Sequence, residues 1–225
     1  GWFQLGDRDL ATHIYRSHRR AQGAPLGTIT AEIARAFGVR TRILPMTDDR
    51  VRTEVHTNDR TLSFQEYLVG ARARPPVRRL VYRGANRARP AAGVLRAIRD
   101  ARAVLIAPSN PFLSIGPILA IPGVRAALRA RRGPVVAVSP LVGGRAVTGP
   151  LGRLLRRFGH PPSSIGVARC YRPFLDALVI DRGDAADVPR LAREGCDAIL
   201  ADTVFSTPRR AARAAATILE ALRLP

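Results

Sequence analysis

Asp7, Arg8, Asp9, Thr12 and His13 place two carboxylates, a guanidinium, a hydroxyl and an imidazole within seven positions. A carboxylate there could hold Mg²⁺ through water or orient an attacking hydroxyl, and Arg8 has the fork that grips a phosphate. If Asp9 begins a helix, Thr12 and His13 follow on the same face. The plain alternative is a helix start with acidic residues at its positive pole and an Arg–Asp ion pair. A second set, Asp48 and Asp49 after Pro45-Met46-Thr47, stands at the end of an expected strand. Adjacent aspartates there either ligate or close a surface turn.

Ser109, Asn110 and Ser114 form a third set, on a proline-bounded loop from Pro108 to Pro117, and Gly143-Gly144 follow a later apolar run. Hydroxyl and amide groups with a helix capped by Ser114 behind them suit an anion, and paired glycines permit close backbone approach. Together the two loops would make a phosphate or nucleotide site; ordinary capping and tight β–α turns are the alternative. Neither loop is a Walker A or a G-x-G-x-x-G sequence. His18, His56 and His160 lack partners at metal-ligand spacing, so zinc is not expected. No serine or cysteine sits in a nucleophile-elbow pattern.

Alternating helix and strand signals must position these groups. Thr28 or Thr30 is expected to cap a helix through Phe37, with Ile29, Ile33 and Phe37 on one face. Thr41 to Met46, Val51 to Thr57 and Val77 to Tyr82 read as strands, and Ala91 to Asp100 as a helix. The apolar runs at 103–107 and 134–139 predict strands buried on both faces of a parallel sheet, with weaker ones at 177–180 and 198–201. Helices are expected at 124–131, 151–158, 187–194 and 208–222. The pattern predicts an α/β fold: a Rossmann-like, mostly parallel sheet with flanking helices and a smaller α+β insertion at about 40–85. In open sheets of this kind ligands bind beyond the carboxyl ends of the strands, where the third set falls. One domain over 1–225 is expected, with no internal repeat.

The chain has 225 residues and a formal charge of +20, all of it from arginine among the basic residues. The arginines are spread along the chain, which favours a solvated, codon-biased surface over a nucleic-acid footprint, and a smaller anion such as a nucleotide diphosphate also suits the field. No apolar run reaches the ~20 residues that span a bilayer. Cys170 and Cys196 give neither metal spacing nor a disulfide framework, so a cytoplasmic protein with packed thiols is expected.

The sequence resembles the 2-phospho-L-lactate transferase family of coenzyme F420 biosynthesis. Leu5 to His13 matches its L-G-D-R-D-x-A-T-H, Pro45 to Asp49 its P-M-S/T-D-D, and Phe64 to Tyr67 its F-Q-E/D-Y/F. Pro108 to Leu119 matches P-S-N-P-x-x-S-I-G-P-I-L, and Val138-Ser139-Pro140 with Gly143-Gly144 matches V-S-P-I-I-G-G. Arg50 and Thr148 depart from the pattern, which usually has proline and a basic residue there. The resemblance implies transfer of a phospho-lactyl or phospho-enolpyruvyl group from a guanosine diphosphate-linked donor. The acceptor would be the ribityl hydroxyl of 7,8-didemethyl-8-hydroxy-5-deazariboflavin, and GMP would leave, with Mg²⁺ offsetting charge.

By the same resemblance Asp7, Arg8 and Asp9 would be catalytic, and Arg8, Thr12, His13, Asp48 and Asp49 would face substrate. Ser109, Asn110, Ser114, Gly143 and Gly144 would hold the nucleotide, in a homodimer. Family members carry a glycine-rich strand–loop–helix and an acidic segment before L-G-D-R-D, with a phosphate loop and metal-ligating aspartates. Their absence here, with Met46 as the only methionine, implies a fragment or half of a split arrangement. A non-catalytic, nucleotide-sugar-binding regulator of a related family is the alternative, and a charge-driven nucleic-acid module a third.

Overall fold

The computed structural model describes residues 4–223. Its backbone divides into two compact units, one of residues 1–98 with 117–127, the other of 99–116 with 128–225.

The first unit opens with α1 (Asp7–Ala21) and α2 (Leu26–Ala36). Both ends of α1 suit the helix dipole, with Asp7 and Asp9 in the first turn and His18, Arg19 and Arg20 in the last. The two helices are tied by a side-chain cluster. Arg19 donates to both oxygens of Glu32, Nε to Oε2 at 3.0 Å and Nη2 to Oε1 at 2.7 Å, and the Tyr15 hydroxyl donates to Oε2 at 2.9 Å. The Arg19 hydrogen bonds, then that of Tyr15, pull the Glu32 carboxyl down to about 2. A carboxylate depressed by folding contributes stability that is full above its unfolded value of about 4.3 and fades as pH falls toward its folded one. Denaturation midpoints measured from pH 5 to pH 2 should therefore fall with an increment that Glu32→Gln lacks. Parallel profiles for the two proteins would remove the pair as a source of acid sensitivity.

Three antiparallel strands follow in this unit: β1 (Arg52–His56), β2 (Thr61–Ser63) and β3 (Arg79–Arg83), in the order β2-β1-β3. They are the strand-rich region expected near 40–85. Val55 pairs with Leu62 on one side and Leu80 on the other and is wholly buried. The strand expected at Thr41–Met46 is absent; only Thr47 bridges to Pro90. Proline at 45 and at 90 removes two amide donors, so no ladder can extend there. The F-Q-E-Y motif also proves structural. Ser63 N–H donates to Glu66 Oε2 at 2.7 Å and Glu66 N–H to Ser63 Oγ at 3.3 Å, a reciprocal capping box. It opens the π-helical turn Glu66–Gly70, which buries Tyr67.

The chain continues through α3 (Val94–Asp100), β4 (Val104–Ile106), α4 (Gly116–Leu119) and α5 (Val124–Arg129) to β5 (Val135–Val138). A hairpin of β6 (Leu141–Val142) and β7 (Arg145–Ala146) precedes α6 (Leu151–Arg157) and α7 (Ser164–Tyr171). Last come β8 (Ala177–Asp181), α8 (Val188–Arg193), β9 (Asp197–Ala201) and α9 (Pro208–Ala221). In the second unit β4-β5-β8-β9 form a parallel four-stranded sheet, the expected α/β core. All four residues of β5 are buried, as its continuous apolar run predicts. Val136, Val138, Ala177, Val179 and Ala201 alternate along three strands to meet Ile218 of α9, with Leu222 beside it. Burying Ile218 stabilises the unit by roughly 2 kcal/mol.

Cys170 and Cys196 are both free, and burial raises their thiols to about 12 and about 11, so both pack as small apolar groups. No helix among the described residues is long and apolar enough to cross a membrane.

Candidate functional site

In the first unit the L-G-D-R-D segment becomes the start of α1, at Asp7, two residues earlier than a start at Asp9. Gly6 occupies the N-cap and offers no side-chain cap. Asp7, Arg8, Asp9 and His13 are exposed, and Thr12 is half-buried. The Thr12 hydroxyl donates to the Arg8 carbonyl at 2.8 Å, and His13 Nδ1 lies 3.4 Å from Arg16 Nη1. The expected Arg–Asp ion pair is not formed: Arg8 has no carboxylate partner among the described residues. The helix therefore carries three charges in one turn that no packing uses, and these groups are free for a ligand.

Asp48 and Asp49 are committed differently. Asp48 Oδ1 accepts the Gly27 N–H at 2.6 Å, in the first turn of α2. That contact corrects the capping expected from Thr28 or Thr30. The helix begins at Leu26 after Pro25, and Thr30 Oγ1 instead donates back to the Leu26 carbonyl at 2.7 Å. A carboxylate from a loop distant in sequence does the capping. Asp49 Oδ2 accepts the Arg89 N–H at 2.7 Å, while the buried Thr47 donates its hydroxyl to the Arg89 carbonyl at 2.5 Å. The P-M-T-D-D segment thus clamps α2 and the segment at 89–90 together. Asp49 also borders an open cleft of about 540 Å³. Among the described residues no group of three His, Cys, Asp or Glu is placed to hold a metal ion. Asp48 and Asp49 each turn one oxygen onto a different backbone N–H, so this pair does not fit a Mg²⁺ site by itself.

In the second unit the loops after β4, β5, β8 and β9 all leave the carboxyl edge of the parallel sheet, the edge where α/β sheets bind ligands. Asn110, not Ser114, is the cap here. Its Oδ1 accepts the N–H groups of Phe112 at 3.0 Å and Leu113 at 3.1 Å, opening the turn Pro111–Ile115. Asparagine before proline favours this geometry, since the proline at the first helical position lacks an N–H to satisfy. Ser109 and Ser114 are half-buried, and their hydroxyls have no hydrogen-bond partner among the described residues. Phe112 anchors the loop against Phe158, ring centroids 4.8 Å apart, with His160 at 6.2 Å. Burial, then the charge of Arg169, lowers the His160 pKa, favouring a neutral imidazole.

Gly143 and Gly144 have φ of 58° and 69°, the pair of left-handed conformations that a two-residue hairpin turn needs. Their N–H groups do not stand open to a phosphate. Gly143 N–H donates to Asp184 Oδ2 at 3.0 Å and Gly144 N–H to Oδ1 at 2.7 Å. Asp184 is buried and lies beyond β8, so it fastens the hairpin to the neighbouring strand's loop. Nearby, Asp181 ends β8. Burial pushes its carboxyl up, but hydrogen bonds from Gly183 and Thr203 outweigh that and hold it below the ordinary range. Sequence reasoning missed Asp184 and Asp181, because no local spacing links an aspartate to glycines forty residues earlier.

A family model described as "2-phospho-L-lactate transferase CofD" matches residues 2–218. A 2-phospho-L-lactate transferase of Methanosarcina mazei is 41% identical over 218 residues, covering 97% of this chain and 71% of that protein. A phosphoenolpyruvate transferase of Streptomyces coelicolor is 40% identical over 230 residues, covering 99% of this chain and 72% of its own length. The crystal structure of protein BH3568 from Bacillus halodurans shares the fold, with a TM-score of 0.64 at 16% identity, over 98% of this chain and 75% of that one.

Proposed function

From the premise that this chain belongs to the 2-phospho-L-lactate transferase family, we propose that it transfers a phospho-lactyl or phospho-enolpyruvyl group in coenzyme F420 biosynthesis. The donor on this reading is the acid joined through a diphosphate to guanosine. The acceptor is the ribityl hydroxyl of 7,8-didemethyl-8-hydroxy-5-deazariboflavin, and GMP leaves. The observation that carries the reading is the family match across nearly the whole chain, with relatives named for each of the two acids. A cytoplasmic homodimer belongs to the same proposal.

Phosphoryl transfer asks little covalent chemistry of the protein; positioning and charge neutralisation do most of the catalysis. Arg8 would neutralise a phosphate, having no carboxylate partner among the described residues on the exposed first turn of α1. Asp7 and Asp9, equally uncommitted, would accept the proton or orient the hydroxyl of the acceptor, with Thr12 and His13 one turn on. Ser109 and Ser114 would hold the nucleotide through their unused hydroxyls, on a loop that Asn110 stiffens. Asp48 and Asp49 would shape the acceptor side mainly through the clamp they form. Magnesium would enter only as a counter-ion of the donor's diphosphate.

The test supplies the deazaflavin with each guanylyl donor and follows GMP release together with the mass of the product. One donor should yield one equivalent of GMP per transferred group. GDP binding without GMP release from either donor would replace this reading with the non-catalytic regulator.

A further inference from the structure

We propose that the outward face of α1, which carries Leu10 and Ile14, is where two copies of this chain pair as antiparallel helices. No residue of this helix is buried, although it is 15 residues long. What ties it to its unit is polar: Tyr15 and Arg19 reach Glu32 of α2. Its half-buried residues, Thr12, Arg16 and Arg19, lie on that same side. At about 100° per residue, Leu10, Ile14 and Ala21 stand on the opposite side. There Ile14 is 61% exposed and Leu10 48%. The usual amphipathic order is inverted, with polar groups toward the unit and apolar ones toward solvent. By contrast α2, α6 and α9 each turn apolar residues into the core. A helix of this length is marginal in water by itself and draws its stability from packing an apolar face. The exposed Leu5 precedes the N-cap Gly6, and Leu10 lies four positions after it. Those are the two positions of a hydrophobic staple, so the apolar patch continues past the start of the helix.

A second copy fits this face by charge. Asp7 and Asp9 lie in the first turn of α1, and His18, Arg19 and Arg20 in the last. Ile14 is the midpoint of Asp7–Ala21. Two helices crossing antiparallel about Ile14 therefore set the acidic turn of each copy beside the basic turn of the other, with their dipoles opposed. A parallel pair would bring like charges together instead. The antiparallel contact is isologous: Ile14 meets Ile14 across a two-fold axis, and every other contact is made twice. An anionic bilayer fits less well, because acidic residues flank the apolar stripe and only Leu5, Leu10 and Ile14 are large enough to anchor it. One helix from each copy makes a small interface, so the pairing should be reversible. The proposal rests on the homodimer named with the transferase reading and specifies its contact; it requires no transfer reaction.

Sedimentation equilibrium of the full chain over a wide range of concentration tests the contact without any substrate. A reversible dimer is expected. Leu10→Gln/Ile14→Gln should raise its dissociation constant tenfold or more, since glutamine keeps the helix propensity while removing the apolar contact. Arg20→Asp should weaken the dimer about three- to tenfold, because it faces the acidic turn of the other copy and the two-fold axis counts the contact twice. Arg209→Asp makes the same charge change at the start of α9, and Leu219→Gln removes an exposed leucine from that helix. Both should leave the dimer unchanged, and circular dichroism verifies that each variant is folded. A chain that stays monomeric at every concentration overturns the proposal and gives the face to another segment or polypeptide; GMP release would still test the transferase reading separately. A dimer that survives Leu10→Gln/Ile14→Gln also overturns it, leaving a homodimer with a different contact. If Arg20→Asp tightens the dimer, the antiparallel order is wrong. The proposal equally falls if anionic vesicles, and not a second copy, are what the Leu10→Gln/Ile14→Gln chain ceases to bind.

Discussion

Gly166→Ala should destabilise the second unit by about 3 kcal/mol or more, the reverse of what the same change does in most helices. Glycine inside a helix ordinarily costs about 1 kcal/mol relative to alanine, so replacing it usually stabilises. Gly166 lies in α7, among the buried residues Ser164, Ile165, Val167 and Ala168. A Cβ there would be driven into the Pro161 carbonyl oxygen, far inside van der Waals contact, and would crowd the His160 side chain. The obstacle is backbone held by two consecutive prolines, Pro161 and Pro162, so it cannot swing aside as a long side chain would. Gly152 in α6 supplies the matched comparison, since a Cβ there meets nothing nearer than Pro162 Cβ at 3.9 Å. Urea denaturation should show Gly152→Ala equal to or slightly more stable than wild type and Gly166→Ala much less stable. Equal midpoints for all three proteins would remove the close approach of residues 161 and 166.

That glycine also explains what the sequence conceals. A segment reading Pro-Pro-Ser-Ser-Ile-Gly carries turn-forming residues throughout, and local propensity argues against the helix α7. The helix forms because its apolar residues are buried, and the glycine is required by a neighbour that only the folded chain supplies. The parallel strands were legible for the opposite reason: continuous runs such as Val135–Val138 have no other stable use than burial on both faces. The Thr41–Met46 expectation failed because alternation and branching say nothing about whether a partner strand exists. The candidate site divides along the same line. Residue types announced Asp48, Asp49, Gly143 and Gly144 as polar or permissive. Their partners, Gly27, Arg89 and Asp184, lie between 21 and 41 residues away. What reads locally as ligand chemistry turns out to be partly a set of long-range fastenings. The L-G-D-R-D turn is the converse: among the described residues no side-chain hydrogen bond or ion pair uses Asp7, Arg8 or Asp9, and only the helix dipole accounts for the two aspartates.

Arg8→Ala should separate these two kinds of residue. Because Arg8 is exposed and unpaired among the described residues, removing it takes away no contact that the fold uses. Alanine is the better helix former, so stability should change by no more than about 0.5 kcal/mol. Transfer should fall about 10²–10³-fold if the guanidinium meets charge that develops on the phosphate, the range seen when one preorganised donor to a transition state is lost. Arg8→Lys should recover part of that loss, since it restores the charge but not the paired hydrogen bonds of the fork. The kinetic constants locate the contact: a fall in kcat at constant KM marks an interaction made in the transition state, and a rise in KM alone marks ground-state binding. Melting temperature and turnover measured on the same preparations make the comparison strict. A variant with unchanged turnover would sink the assignment of Arg8 while leaving the family membership intact. Lost turnover with a lowered melting temperature would instead give Arg8 a structural role that the exposed first turn of α1 does not suggest.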